Sequence, residues 1–475
     1  MTDVAAGPDT GSAKKRIALG VNYWKLWSSS VISNLGDGVT AIALPWLSSA
    51  VTRNPMLIAL VGVASRIPWL VFSLPAGVIT DRLDRRKLML WSQISRAALM
   101  LSAAAVVMMY RSSLPAPGEV QDGVVSNNMV VYGMIIVVSL LFGFAEVLYD
   151  NSAQTILPAI VEPEGLERAN GNLWGAEMVA NSFLGPPLGS LLIGVAFALP
   201  FAFDAGTFAI AAALIFLISG SFATRDKSAA QSKGKIDWWG EIKEGMAWLW
   251  KHPLLRPMAI ILGLLNGLGM VTFATFVLFA QDVLGINAFL FAVLGMSGAI
   301  GGVLGSILSP RVSKALGSGP SLYVTLSLSV VTNLVIGFAT HWTIVFAMFA
   351  TFSFSAVLWN VITVSLRQTI IPDELLGRVN SVYRFFAWGM MPIGLAIGGL
   401  LVTGMENIGA TRDIALRTPW WFAAAAYLVL FIYAAPKLTT QKIEAARAEG
   451  IAAKQASKQA DGDDVDSASD PQGAS

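Results

Sequence analysis

The sequence contains no cysteine and only two histidines, His252 and His341. The first absence excludes a disulfide framework, a thiolate zinc site and an iron–sulfur cluster, and two scattered histidines cannot assemble a histidine metal cluster. Charge is scarce too. Asp, Glu, Lys and Arg make up 13% of 475 residues, where an ordinary soluble domain carries about 25%. A globular surface cannot be covered with so few ionisable groups. The net charge of +2 implies no nucleic-acid partner. No G-x-x-x-x-G-K-[ST] phosphate loop occurs, so ATP is not the direct energy source. The N-terminal segment MTDVAAGPDTGSAKKRIALG lacks the apolar core of a signal peptide, so the first apolar segment is expected to stay as a spanning helix.

What the chain does have is apolar length: 55% of its residues are hydrophobic. A helix needs about 20 mainly apolar residues to cross a bilayer. Twelve such runs occur, at 24–50, 56–79, 88–110, 129–150, 171–197, 200–222, 257–280, 288–309, 320–340, 342–364, 379–403 and 418–436. Of the 32 Lys and Arg residues, 24 fall on one side of this arrangement and four on the other (Arg53, Arg111, Arg412 and Arg417). By the positive-inside rule both termini are then cytoplasmic.

The second half repeats the first. QTILP at Gln154–Pro158 returns as QTIIP at Gln368–Pro372, and ERANG at Glu167–Gly171 is answered by GRVNS at Gly377–Ser381. One pair of pentamers follows the fourth run and the other follows the tenth. Transporters are commonly built from such duplicated units, with a substrate site near the midplane where they meet. The expected architecture is an all-α membrane protein, with twelve transmembrane helices in two pseudo-symmetric six-helix bundles. The bundles are placed at 21–223 and 257–436. A tail at 1–20, a cytoplasmic linker at 224–256 and a disordered tail at 437–475 complete the chain.

Twelve spans in two halves, a basic central loop and G-x-x-x-D-R-x-x-R-R-K between the second and third spans resemble the Major Facilitator Superfamily. SNLGDGVTAIALPW, DRLDRRKLM, LPAIVEPEGLERANG and EIKEGMAWLWKHPLLRPM are similar to its bacterial exporter branch, which includes macrolide-efflux proteins and the enterobactin exporter. The resemblance implies that Gly77, Asp81, Arg82, Arg85 and Arg86 form a gating motif. In the family the matching aspartate contacts the eleventh span, near Arg378 here, and the matching arginine meets an acid of the fourth, Glu146 or Asp150. Asp84 stands where the usual family motif has glycine. Gly185, Pro186 and Gly189 resemble the family's antiporter motif.

Ionisable residues inside spans cost roughly 2.5–3.5 kcal/mol each to insert, so each calls for a reason. Asp37 and Glu177, set among small residues, are the leading candidates for proton carriage, with Asp204 a third. Arg66 and Arg96 are intramembrane bases that can pair with Asp37 and Glu146. Asn34, Trp359 and Asn360 are candidate substrate-cavity residues. The expected activity is secondary active export of amphipathic small molecules, drug or siderophore-like, by proton antiport across a bacterial inner membrane. The expected chain is a monomer without cofactor or metal, whose partners are a small-molecule substrate, protons and lipid. A lysophospholipid flippase or a proton-coupled importer of the same fold fits the same features. GMSG at Gly295–Gly298 leaves a remote enzyme reading, an intramembrane serine protease using Ser297.

Overall fold

A computed structural model describes residues 19–220, 222 and 238–468, and every regular element among them is helical. The first set of helices comprises α1 (Val21–Val51), α2 (Pro55–Arg82), α3 (Arg85–Met109), α4 (Met129–Ile160), α5 (Leu166–Met178), α6 (Gly185–Val195) and α7 (Ala198–Phe216). After α8 (Trp238–Lys251) come α9 (Leu255–Phe273), α10 (Ala288–Leu316), α11 (Ser318–Phe338), α12 (Trp342–Ile370), α13 (Asp373–Asn407), α14 (Arg412–Ala434) and α15 (Thr440–Ala468). Eleven spans among the described residues are long and apolar enough to cross a membrane, with α5 and α6 joined as one of them. The remaining bundle helix, α1, has 31 residues. Its hydropathy is diluted by serines, Asn34 and Asp37, several of which line a central cavity.

Local chemistry sets the helix starts. Asn54 accepts hydrogen bonds from the N–H groups of Met56 and Leu57, with Pro55 in the first turn of α2. Asn128 and Asn287 cap α4 and α10 in the same way. Each satisfies N–H groups that lack a partner within the helix. Between α5 and α6, Pro186 and Pro187 supply no backbone donors, and the chain widens at Val179–Leu184 into a π turn.

Within the first set α3 packs on α7 and α4, α2 on α4, and α1 on α7 and α6. Among the later helices α10 packs on α12, α9 on α13, and α11 on α14 and α12. The two sets meet chiefly where α2 crosses α13 and where α6 crosses α10. Within the segment 437–475 the described residues include α15. Its Ile443 is buried, and the Lys454 ammonium donates 2.9 Å to the Gln368 carbonyl at the end of α12. The N-terminal tail to residue 18 and most of the linker, 223–237, lie outside the described residues.

Candidate functional site

Two small residues put a carboxylate at the centre of the first helix set. Asp37 lies between Gly36 and Gly38 on α1, and neighbouring chain touches both glycines. A Cβ on Gly36 would fall 1.9 Å from Asp204 Oδ1 of α7, and one on Gly38 would fall 2.3 Å from the Asn181 carbonyl. Behind them, a Cβ on Gly185 would sit 2.6 Å from Gly38 Cα, and one on Gly189 2.6 Å from the Val39 carbonyl. The Gly185-Pro186-Pro187-Leu188-Gly189 motif is therefore the surface on which the Asp37 segment rests, and the π turn lies just before it.

Asp37 Oδ1 accepts a 2.5 Å hydrogen bond from Arg96 Nη2. Arg96 is 2% exposed. Its guanidinium lies 4.1 Å from the Phe208 ring centroid and 4.5 Å from that of Phe142, and it donates 3.3 Å to Gln93 Oε1. A charge held between aromatic faces and one carboxylate is oriented by both. The pair opens onto a cavity of about 700 Å3 whose wall includes Asp37, Arg66, Glu146, Asp150, Glu177 and Asn34. Glu177 accepts from the Ser30 hydroxyl, and Trp69 Nε1 points 3.4 Å toward Glu146 Oε2. The wall also carries Phe142, Phe273, Phe276 and Phe291, so the space suits an amphipathic ligand.

One end of the cavity is sealed. Trp46 of α1 packs 5.9 Å from Phe291, and Phe276, Phe349 and Trp420 continue the cluster. Above this plug Asp282 forms ion pairs with Arg53 and with Arg412, the latter at 3.0 Å. Arg412 also pairs with Glu406 and donates 3.0 Å to the Arg53 carbonyl. Gln281 accepts from Arg53 and donates 2.8 Å to the Ser49 hydroxyl. Burial, then the neighbouring Arg412, pulls the Arg53 guanidinium down to about 10, which leaves it charged at neutral pH. The opposite end is lined by Gln154, Asn170 and Trp174, all exposed, and lies on the side of the basic α2–α3 loop.

Several expected roles change. Arg85 donates 3.0 Å to the Thr155 carbonyl of α4, not to Glu146 or Asp150. Those acids sit two and one helical turns or more before Thr155, and they face the cavity instead. Arg86 donates 3.2 Å to the Gly220 carbonyl. Asp84 caps α3 through the Lys87 N–H and accepts 3.2 Å from the Phe222 N–H, a physical use for the carboxylate that replaces glycine. Gly77 makes no close helix approach, since a Cβ there meets nothing within 4 Å. The side chains of Asp81 and Arg82 lie outside the described residues.

Asp204 is fully buried and does not line the cavity. The hydroxyls of Thr40 and Thr207 donate to it at 2.5 and 3.1 Å, so it ties α7 to α1. Trp359 is 3% exposed within the packed core of the later helices, away from the cavity. Asn360 lies instead on a second, smaller pocket. Ser297 is buried and donates 2.5 Å to its own helix at Leu294. His252 caps α9 and His341 caps α12, so neither serves as its base, and the protease reading fails.

Comparison with known proteins bears on the family and the fold. The model of the Major Facilitator Superfamily matches residues 26–395. Multidrug efflux pump Tap of Mycolicibacterium fortuitum is 26% identical over 386 residues, 78% of this chain and 87% of Tap. Macrolide efflux protein A of Streptococcus pyogenes is 21% identical over 424 residues, 86% of this chain and 95% of that protein. Among solved structures, the nucleoside transporter NupG superposes with a TM-score of 0.63 at 13% identity, covering 87% of this chain and 98% of NupG.

Proposed function

Because the chain belongs to the Major Facilitator Superfamily of secondary transporters, we propose that it exports amphipathic, drug-like molecules in exchange for protons. The observation that carries the reading is the buried Asp37–Arg96 pair at the wall of an aromatic, acid-lined cavity closed at one end. The distant relatives, named as a multidrug pump and a macrolide-efflux protein, support the drug side of the reading. They lend none to siderophore export.

In this reading the units 21–223 and 257–436 rock about the cavity in a bacterial inner membrane. Both termini are cytoplasmic, by the 24-to-4 division of basic residues. The open end then faces the cytoplasm, and the Arg53–Asp282–Arg412 network bars the outer side. A proton arriving on Asp37 cancels its half of the ion pair and leaves Arg96 to the other carboxylates of the cavity. That exchange changes the charge that a bound molecule meets. The Gly38–Gly185 contact passes any shift of α1 directly to the bend before α6. Asp81 and its loop would latch the cytoplasmic side once the cavity faces outward.

The test is uphill transport. Proteoliposomes carrying the protein should concentrate ethidium and a macrolide against their gradients when a pH difference is imposed, and a proton ionophore should abolish this. Flux that ignores the pH difference would overturn the antiport reading.

A further inference from the structure

A second pocket of about 240 Å3 opens between α9, α12 and α13. Arg367 and Arg384 line it with Asn266, Asn360 and Trp388. No acidic residue does among the described residues. Arg367 stacks 4.5 Å over the Tyr383 ring, and its buried Nε has no hydrogen-bond partner among the described residues. Arg384 is exposed to the pocket and forms no ion pair among the described residues. Arg384 lies inside the eleventh apolar run, where a charge without a partner carries an insertion cost that calls for a counter-charge, and Arg367 stands beside it just past the tenth.

The internal repeat shows what kind of place this is. The offset that matches QTIIP to QTILP sets Arg367 against Ala153. The offset that matches Asn380 to Asn170 sets Tyr383, Arg384, Ala387 and Met391 against Leu173, Trp174, Glu177 and Asn181. Every one of those first-half positions lines the large cavity, and each partner lines the small one. The two pockets are thus built on equivalent positions with opposite chemistry. Glu177 in the first half gives way to Ala387, and uncharged Ala153 and Trp174 give way to arginines. Between them stands an aromatic pair: Trp388 of the small pocket stacks on Trp69 at 4.8 Å, and Trp69 Nε1 points toward Glu146 of the large cavity.

We propose that the Arg367–Arg384 pocket is a ligand subsite for the anionic group, sulfonate, phosphate or carboxylate, of an amphiphile whose apolar body occupies the large aromatic cavity. Arginine suits the task because its planar donors bind such groups bidentately. Asn266 and Asn360 stand beside the arginines, and Trp388 offers a flat apolar wall. The volume fits a headgroup and not a whole drug. The inference deepens the export reading by adding anionic and zwitterionic amphiphiles to its substrates, and it rests on that reading only for the transport of the bound molecule.

Binding can therefore be tested without transport. Two probes of nearly the same body differ in charge: 1-anilinonaphthalene-8-sulfonate and uncharged N-phenyl-1-naphthylamine. Each is titrated into the full-length protein in phosphatidylcholine nanodiscs, with empty nanodiscs subtracted. The wild type should bind the sulfonate more tightly, and added salt should weaken only that probe. Arg384→Gln and Arg367→Gln should each weaken the sulfonate by about tenfold, the loss of one charge-assisted contact, with the neutral probe unchanged; Arg384→Lys should recover part of the loss. Equal binding of both probes by the wild type would overturn the proposal. So would equal losses of both probes in the variants, or no loss in either variant. Competition by phosphatidylglycerol built into the nanodisc would assign the pocket to a lipid headgroup, and its absence to soluble amphiphiles; either result upholds an anion subsite. Failure of proton-driven export would leave this binding result standing.

Discussion

Replacing Asp37 by asparagine separates charge from hydrogen bonding at the buried pair. Arg96 is 2% exposed and cannot turn to water. Stripping one partner from a buried ion pair costs about 3–5 kcal/mol, because the remaining charge stays desolvated. Asparagine keeps an oxygen where Oδ1 accepts from Arg96, and a hydrogen bond from a charged donor is worth about 1.5–3 kcal/mol. The expected loss is therefore about 1–3 kcal/mol for Asp37→Asn and the full ~3–5 kcal/mol for Asp37→Leu. The double variant Asp37→Leu/Arg96→Met removes both charges and should regain most of that stability. Thermal unfolding of detergent-purified protein ranks the three. Transport should follow a different order: uphill efflux in proteoliposomes should be lost in all of them, including the stable double variant. Wild-type uphill efflux by Asp37→Asn would refute the assignment of the proton step to this carboxylate. A double variant no more stable than Asp37→Leu would refute the view that the unpaired charge is what destabilises.

The sealed end makes a second test simple, because the chain has no cysteine to mask. A Ser48→Cys reporter on the cavity wall should react several-fold faster with an impermeant maleimide added outside once Asp282→Asn removes the charge that both arginines share and one of its two acceptor oxygens; an unchanged rate would remove the network from the gate. Gly38→Ala should cost about 1–3 kcal/mol by overpacking, since its Cβ has no space before the Asn181 carbonyl and Gly185, and folded yield in detergent reports this. Asp84→Ala should cost about 1 kcal/mol through loss of the α3 cap, visible as faster hydrogen exchange at Lys87. His252 accepts the Leu254 and Leu255 N–H groups on Nδ1, at 3.2 and 3.1 Å, which requires that nitrogen unprotonated. Burial lowers its pKa below the ordinary 6.5, while Glu449 opposes the shift. A histidine depressed on folding contributes stability that is present above 6.5 and lost as pH falls toward its folded value. The protection factors at the start of α9, which remove the intrinsic pH dependence of exchange, should therefore fall below about 6.5 and be constant above it, and His252→Asn should flatten this dependence.

The scarcity of charge made the acids and bases of the site legible in the sequence. In a bilayer each ionisable group stands against a large insertion cost, so Asp37, Arg66, Arg96, Glu146, Asp150 and Glu177 could be picked out before any contact was known, and all six line one cavity. What composition could not convey is direction. A membrane helix is apolar on its lipid face and apolar on its packed face, so it lacks the amphipathic stripe that orients a helix in water. For that reason Trp359 and Asn360, adjacent on α12, read alike, yet one is core and the other faces a pocket. The surroundings of Asp204 were hidden for the same reason: Thr40 and Thr207 donate to it, and those partners depend on how α1 meets α7. The Arg53–Asp282–Arg412 network was hidden by distance, with Arg53 and Asp282 lying 229 residues apart. A signal for it did exist. The sparsely charged face offers four basic residues in all, and two of them converge on the acid at the end of the seventh span.

The two faces of the molecule divide the work of holding it closed, and the division follows from charge. On the sparsely charged face Asp282 is shared by two arginines from opposite helix sets, and the aromatic plug beneath it separates the pairs from the cavity. Coulomb attraction weakens as water gains access, so cavity water would weaken this seal further once the plug parts. On the basic face Arg85 and Arg86 each donate to a carbonyl within their own helix set and form no ion pair among the described residues. Among the described residues the ion pair that joins the two helix sets belongs to the Arg53–Asp282–Arg412 network, and in the proposed cycle a bound amphiphile that displaces the Phe276–Phe291 plug would loosen it from within. Substitutions of Phe291 by alanine should accordingly reproduce the maleimide sensitivity of Asp282→Asn while leaving every charge in place. An aromatic variant that opens as readily as the charge variant would locate the gate in water exclusion, whereas an inert one would locate it in the ion pairs alone.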